Sequence, residues 1–152
     1  MDTNQIRDIL KVHCPLFVGV FARDKLPRPS KRPMIFVANF DPSKDPGTHW
    51  IAVFLDDDGT GEYFDSYGYA PEGIFESYLN EHCDYWTYNS KRLQGNTSST
   101  CGQYTIFYAI HRALNFDGNA IASMFTSSTK FNDALVANYV KKLKRQTRRE
   151  LV

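Results

Sequence analysis

One segment of the sequence, residues 101–114, predicts a helix that is apolar on nearly every face. Its apolar residues are Tyr104, Ile106, Phe107, Ala109, Ile110, Ala113 and Leu114, and their spacing leaves no continuous polar stripe. A helix with this pattern has to be covered by protein on all sides. We therefore expect this helix at the centre of the fold, with the rest of the chain packed around it.

The segments on either side of this helix alternate between helical and extended patterns. Hydrophobic spacing predicts helices at residues 4–12 and 71–82 and a final amphipathic helix over residues 131–143. Apolar, β-prone runs predict strands at residues 16–21, 34–40, 49–55, 62–65 and 85–88. Residues 23–33 contain three prolines and five basic residues, which predicts an exposed loop.

The length of 152 residues predicts one domain over residues 1–152, large enough to build a core without a metal or a disulfide. Three scattered cysteines, Cys14, Cys83 and Cys101, form neither a disulfide framework nor a zinc motif. No apolar run reaches the length of about 20 residues that spans a bilayer, and residues 1–11 are polar rather than signal-like. We therefore expect a soluble, intracellular protein that is not secreted and needs no metal.

A histidine and an aspartate are predicted to meet at the ends of two neighbouring strands. His49 begins one strand, residues 56–61 have the composition of a hairpin loop, and Asp65 ends the following strand. In an antiparallel pair those two ends lie side by side. A carboxylate beside an imidazole fixes its tautomer and stabilises its protonated form. Taken singly, His49 can equally be structural and Asp65 an acid in a turn.

The central helix is predicted to begin at a cysteine. Cys101 follows a run of hydroxyl residues suited to capping a helix, and Gly102 follows it. A thiol at a helix N-terminus meets unpaired N–H groups and the positive end of the helix dipole, which favour the nucleophilic thiolate. The glycine would let a substrate backbone approach. The alternative is a small buried residue at the start of a core helix.

Three further residues have a place in such a site. Gln94 lies seven residues before Cys101, and its amide is a candidate donor to an oxyanion, together with the backbone N–H of Cys101. Trp50 follows His49 and is either a core residue or a wall of a substrate channel. Gly47 precedes His49 and is a candidate substrate contact. Together these residues fit the logic of a nucleophile, a base and a group that orients the base.

Four segments resemble the adenovirus-type maturation proteases, which are relatives of the SUMO-processing proteases. They are Gly-Thr-His-Trp at residues 47–50, Tyr-Phe-Asp-Ser-Tyr-Gly at 63–68, Gln-Gly followed by Cys-Gly within 94–102, and Phe-Val-Gly-Val-Phe at 17–21. The resemblance covers roughly residues 4–114. The chain is similar to the compact versions of these proteases in virophages and virus-like transposons. Adenoviral members mostly have Glu at the position of Asp65, where the SUMO-type relatives have Asp.

The resemblance implies an α+β, papain-like or adenain-like fold, in which the cysteine lies on a central helix packed against a mixed sheet with flanking helices. It implies a cysteine endopeptidase with Cys101 as nucleophile, His49 as base, Asp65 as the acid and Gln94 as oxyanion donor. Capsid or core precursors, cleaved near small residues such as glycine, are the implied substrates. The enzyme would act as a monomer at viral assembly sites and be packaged in virions.

Activators are also implied only by the resemblance. Adenoviral relatives are stimulated by a viral peptide and by DNA, and the peptide pairs with an enzyme cysteine in the region where Cys83 lies. An incidental thiol is the alternative. The chain end, residues 141–152, carries six basic residues and one acid, so it is either a DNA-contacting tail or a solvated helix end.

Two other functions use the same residues or the same fold. A deubiquitinase or SUMO-type isopeptidase would have the same catalytic groups, so the sequence separates it poorly from a maturation protease. A non-catalytic, DNA-binding structural protein would keep the fold without the chemistry. The complete set of four site residues argues against this last hypothesis.

Overall fold

A computed structural model describes residues 1–41 and 49–151, with backbone only for residue 151. The predicted substrate contact Gly47 lies outside these residues. The elements are α1 (Thr3–His13), β1 (Phe17–Ala22), β2 (Met34–Asn39), β3 (Trp50–Leu55), β4 (Thr60–Phe64), α2 (Ile74–His82), β5 (Tyr85–Tyr88), α3 (Cys101–Ala113), α4 (Gly118–Ala122) and α5 (Thr129–Leu151). The predicted α+β fold is confirmed.

The five strands form one mixed sheet in the order β1-β2-β3-β4-β5. The outer pairs, β1 with β2 and β4 with β5, are parallel, and the two inner pairs are antiparallel. Every residue of β2 and β3 is buried, because both faces of the sheet are covered. This explains why their sequences are continuous apolar runs rather than alternating patterns.

Helix α3 packs across one face of the sheet, with α1 and α5 around it. It is buried almost without interruption from Cys101 to Ile110, as its sequence predicts. Tyr108 on α3 stacks on Phe64 of β4 with ring centroids 4.7 Å apart. The Tyr108 hydroxyl donates to Glu62 at 2.7 Å, which satisfies its one buried polar group. The central helix is therefore fixed to the sheet by both apolar packing and a hydrogen bond.

Helix α2 covers the opposite face of the sheet. Its buried residues Phe75, Tyr78 and Leu79 pack against the side chains of β2, β3 and β4 that point away from α3. The Tyr78 hydroxyl donates to the carbonyl of Pro27 at 2.7 Å, which joins this helix to the segment before β2. The sheet is thus enclosed between two separate apolar clusters.

The ends of the helices differ from the sequence prediction at several points. Helix α1 begins with a capping box in which Asp2 accepts from the Gln5 N–H at 2.9 Å. Helix α2 begins at residue 74 rather than 71, after Gly73 with φ 57°. Helix α5 runs through the predicted basic tail to residue 151, and α4 was not predicted because it has only five residues. No helix in the described ranges is long and apolar enough to cross a membrane.

Candidate active site

The structure places His49 and Asp65 side by side at one edge of the sheet. His49 directly precedes β3 and Asp65 directly follows β4, and the two strands pair antiparallel with Ala52 opposite Phe64. His49 Nε2 lies 2.9 Å from Asp65 Oδ1. Asp65 is fully buried and His49 is 9% exposed, so water weakens this contact little.

Two aromatic rings hold the imidazole in its orientation. Tyr67 stacks on the His49 ring with centroids 4.8 Å apart and an interplanar angle of 25°. Phe40 meets the same ring edge-on, also at 4.8 Å. The guanidinium of Arg92 lies over the Tyr67 ring, 4.8 Å from its centre. Imidazole rotation is therefore restricted on both sides.

Cys101 is the first residue of α3, and its thiol lies close enough to His49 for the imidazole to lower the pKa of the thiol. Since Nε2 of the imidazole faces Asp65, the nitrogen that remains for the thiol is Nδ1. Burial raises the pKa of Cys101, but the hydrogen bond and charge of His49 and the backbone N–H groups of Trp50 and Gly102 lower it further than burial raises it. The pKa of the thiol is thus below its ordinary value.

The pKa of His49 is shifted in the opposite direction. Burial alone would lower this pKa, but hydrogen bonds and charges from Asp65 and Cys101 raise it to about 9. A lowered thiol pKa next to a raised imidazole pKa favours the thiolate–imidazolium pair at neutral pH. Of the three cysteines, Cys101 is the one whose thiol pKa is shifted downward, whereas burial raises the pKa of Cys14 and of Cys83.

Residues 94–100 connect the sheet to the cysteine, and we call them the nucleophile loop. Gln94 is fully buried at its start. Its Oε1 accepts from the Ser66 hydroxyl at 2.5 Å, and its Nε2 donates to the Ser98 carbonyl at 2.9 Å. One amide hydrogen is thus used within the loop, while the second has no acceptor among the residues that the structure describes.

Backbone contacts fix Asp65 itself. The side chain of Asn89 accepts from the Asp65 N–H at 2.9 Å and donates to the Asp65 carbonyl at 2.6 Å. The N–H of Tyr67 donates to Asp65 Oδ1 at 2.8 Å, on the same oxygen that faces the imidazole. Asn89 therefore pairs with the backbone as a neighbouring strand would, at a position just beyond the end of β4.

Ser66 connects the acid to the nucleophile loop. Its carbonyl accepts from the N–H groups of Leu93 and Gln94 at 2.9 and 3.0 Å. Its hydroxyl donates to the Gln94 side chain, so one residue next to Asp65 fixes both the backbone and the amide of Gln94. The acid and the proposed oxyanion donor are held by adjacent residues of one turn.

The other predicted site residues have packing neighbours in the structure. Trp50 is 5% exposed and belongs to the core on the α3 side. A Cβ on Gly102 would lie 3.3–3.5 Å from Met1, Ile6 and Trp50, so protein side chains occupy the space that its glycine leaves. The substrate contacts predicted for these two residues stay predictions, and at Gly102 they are limited to the backbone. Cys83 caps the end of α2, and burial raises the pKa of its free thiol.

A cleft of about 840 Å³ opens beside the imidazole. Its lining joins aromatic and charged residues: Arg23, Phe40, Asp41, Tyr69, Ala70, Glu72, Gly73, Ile74 and Phe75. Phe40 contacts both the cleft and the His49 ring. Tyr69 and Ile74 are 60% and 47% exposed at its rim. Neither His49 nor Cys101 lines this cleft, so its connection to the imidazole runs through Phe40.

Sequence reasoning missed the residues that support the site. Phe40 and Tyr67 have no individual signal, although Tyr67 lies two residues after Asp65 in the Asp-Ser-Tyr-Gly segment. Asn89 and Ser66 are common polar residues whose roles depend on three-dimensional neighbours. The described residues contain no group of His, Cys, Asp and Glu arranged to hold a metal.

The sequence is similar to that of a cysteine protease of African swine fever virus, with 34% identity over 84 residues. The matched part covers 47% of this chain and 31% of that protein, so the chain spans less than a third of its relative. No protein-family model matches the chain.

Two solved structures share the fold. The crystal structure of the African swine fever virus pS273R protease superposes with a TM-score of 0.50 and 22% identity, covering 86% of this chain and 62% of that one. The central domain of an uncharacterized protein from Legionella pneumophila gives a TM-score of 0.56 at 14% identity, covering 94% and 98%. At these identities the likeness concerns the fold, an α+β architecture found in a viral protease.

Proposed function

We propose that this protein is a cysteine endopeptidase with Cys101 as nucleophile, His49 as acid–base group and Asp65 as the residue that orients the imidazole. One observation supports this most strongly, namely the hydrogen bond between the buried Asp65 carboxylate and His49, next to a thiol whose pKa the imidazole lowers. The similarity to a viral cysteine protease agrees with it.

The reaction follows from the positions of these groups. The Cys101 thiolate attacks the carbonyl carbon of the scissile peptide, and the electrons of the carbonyl π bond move to its oxygen. The imidazolium of His49 then gives its Nδ1 proton to the leaving amine, and the C–N bond breaks to leave a thioester. His49, now neutral, takes a proton from water as the water attacks the thioester, which releases the acid and restores the thiolate.

The oxyanion of the intermediate needs two donors. The backbone N–H of Cys101 is at the first position of α3, where a helix provides no acceptor for it. The second amide hydrogen of Gln94 is the proposed partner. Because the Gln94 side chain is buried and held by Ser66 and Ser98, this donor is oriented before the substrate binds.

The proposed substrates are precursor proteins of a virus or virus-like element, cut near small residues during particle maturation. The resemblance to maturation proteases and the similarity to a viral enzyme support this choice. We place the protein at assembly sites inside the cell and in the particle, acting as a monomer. DNA contact through the basic end of α5 and peptide activation through Cys83 belong to the same proposal, and neither is required by the chemistry.

The test is incubation of the purified protein with the precursor proteins encoded beside it, with cleavage sites read by mass spectrometry. We expect cuts that are absent with the Cys101→Ala variant. Full cleavage by that variant would remove the proposal. Ubiquitin and SUMO carrying a C-terminal fluorophore form a parallel arm, in which rapid release of the fluorophore would favour an isopeptidase instead.

A further inference from the structure

We propose that Asp133 is a positioning residue that fixes the nucleophile loop, so that the amide of Gln94 stays aligned with the oxyanion. Asp133 lies in the second turn of α5, far from Cys101 in sequence. The inference rests on the proposed function, since an oxyanion has to form for the alignment to matter. It concerns a residue that contacts neither the thiol nor the imidazole within the part of the chain that the structure describes.

The carboxylate of Asp133 contacts both ends of the nucleophile loop. Oδ2 accepts from the Gly95 N–H at 3.3 Å, next to Gln94. Oδ1 accepts from the Thr100 hydroxyl at 3.1 Å, next to Cys101. Oδ1 also accepts from the Tyr104 hydroxyl at 2.7 Å, one turn into α3. A single side chain therefore joins the start of the loop, its end and the helix that carries the thiol.

The inner part of the loop transmits this constraint to Gln94. The hydroxyls of Thr100 and Ser98 are 2.5 Å apart, and the Ser98 carbonyl accepts from Gln94 Nε2 at 2.9 Å. Release of Thr100 from Asp133 would therefore free Ser98, and with it the acceptor that orients the Gln94 amide. Arg92 contributes on the other side, donating from Nε to the Gln94 carbonyl at 3.0 Å.

A carboxylate suits this position because three donors converge on it. An ionised carboxylate only accepts, so all three contacts are compatible with one protonation state. The neighbouring Asn132 donates to the Leu93 carbonyl at 3.2 Å, so the first turns of α5 hold the chain on both sides of Gln94.

Asp133 contacts the nucleophile loop and α3 but neither the thiol nor the imidazole, and this allows a discriminating test. For Asp133→Ala we expect kcat for a peptide substrate to fall roughly 10- to 100-fold, with KM changed less than about threefold. The rate at which iodoacetamide alkylates Cys101, and its pH profile, should stay the same, because alkylation forms no oxyanion. A peptide aldehyde, which does form one, should bind more weakly by a similar factor.

Two variants serve as controls. Asp133→Asn keeps one acceptor oxygen, which can serve either the hydroxyls of Tyr104 and Thr100 or the Gly95 N–H. The NH₂ group replaces the other oxygen and cannot accept, so the kcat of this variant should lie between those of the wild type and Asp133→Ala. Asp8→Ala removes the same side chain from an exposed position of α1 and should change neither kcat nor alkylation. Loss of alkylation in proportion to kcat would show that Asp133 supports the nucleophile or the fold, and would overturn the inference.

Hydrogen exchange separates this inference from the proposed function. In Asp133→Ala the amides of residues 95–101 should exchange faster, while those of β2 and β3 stay protected. If the wild type cleaves no protein but this local change appears, the proposed function fails and the anchoring role of Asp133 stands. Unchanged exchange in residues 95–101 would overturn the anchoring role, whatever the activity.

Discussion

The imidazole and the proposed oxyanion donor, Gln94, are held by two different kinds of structure. His49 and Asp65 adjoin the ends of paired strands, where backbone hydrogen bonds of the sheet fix their separation. The nucleophile loop has no regular structure and depends on side chains, chiefly Ser66 and Asp133. Strand pairing survives most single substitutions, whereas a side-chain anchor is lost with one. The loop side of the site is therefore the more vulnerable part of the support.

The largest effect is expected when the thiol itself is removed. Cys101→Ala should lower kcat/KM for a peptide substrate by about 10⁴-fold or more, because no other group can form the thioester. The protein should keep its melting temperature within a few degrees, since Cys101 is a small residue at a helix start. Cys83→Ala is the matched control and should retain activity. An equal loss in both variants would show that thiol removal acts on the fold.

Asp65→Asn tests the strand-supported side. The amide cannot stabilise an imidazolium as a carboxylate does, so kcat/KM should fall by roughly 10² to 10⁴-fold. The rate of alkylation of Cys101 near neutral pH should fall, because the imidazolium that stabilises the thiolate depends in part on Asp65 for its raised pKa. Iodoacetamide kinetics across pH would measure this. An unshifted profile would mean that Asp65 does not set the ionisation of the imidazole.

Gly68→Ala tests the turn after Asp65, which packs against the backbone just before the nucleophile loop. Gly68 has φ 77°, and an added Cβ would lie 2.8 Å from the carbonyl carbon of Lys91 and 2.9 Å from the N of Arg92. We expect a loss of roughly 2–4 kcal/mol in the free energy of unfolding from backbone strain and the clash. Urea denaturation would measure it, with Gly73→Ala as control, since Gly73 also has a positive φ but no atom within 4 Å. Similar losses at both positions would leave backbone strain as the whole cause.

The pH dependence of activity gives the smallest and most general effect. The imidazolium of His49, with a pKa raised to about 9, loses its proton as pH rises, so kcat/KM should fall about tenfold per pH unit above that point. The same raised pKa stabilises the fold below the ordinary value of 6.5, and this contribution disappears as pH rises through about 9. His49→Ala should remove this alkaline loss of stability. Its persistence would assign the effect to another group.

The sequence predicted the helices and strands well but not the contacts that support the nucleophile loop, and the two halves of the site show why. Apolar runs that are buried on both faces identify β2 and β3, and the residues flanking β3 and β4 follow from strand pairing. The direction of β1 and β5, parallel to their neighbours, has no local signal. Asp133 lies 32 residues after Cys101 on another helix, and only the packing of α5 against α3 brings it to the loop.

Helix α3 offers the thiol almost no freedom to adjust. Cys101 begins a helix whose residues 104–110 are all buried and which packs on the sheet, α1 and α5. A shift of this helix toward a bound peptide would open gaps in tightly packed apolar contacts, at a cost of several kcal/mol. A bound peptide therefore has to bring its carbonyl carbon to the sulfur of Cys101, because the helix does not move toward the peptide. If the protein is the protease that we propose, peptides with little bulk beside the scissile bond would meet that demand most easily.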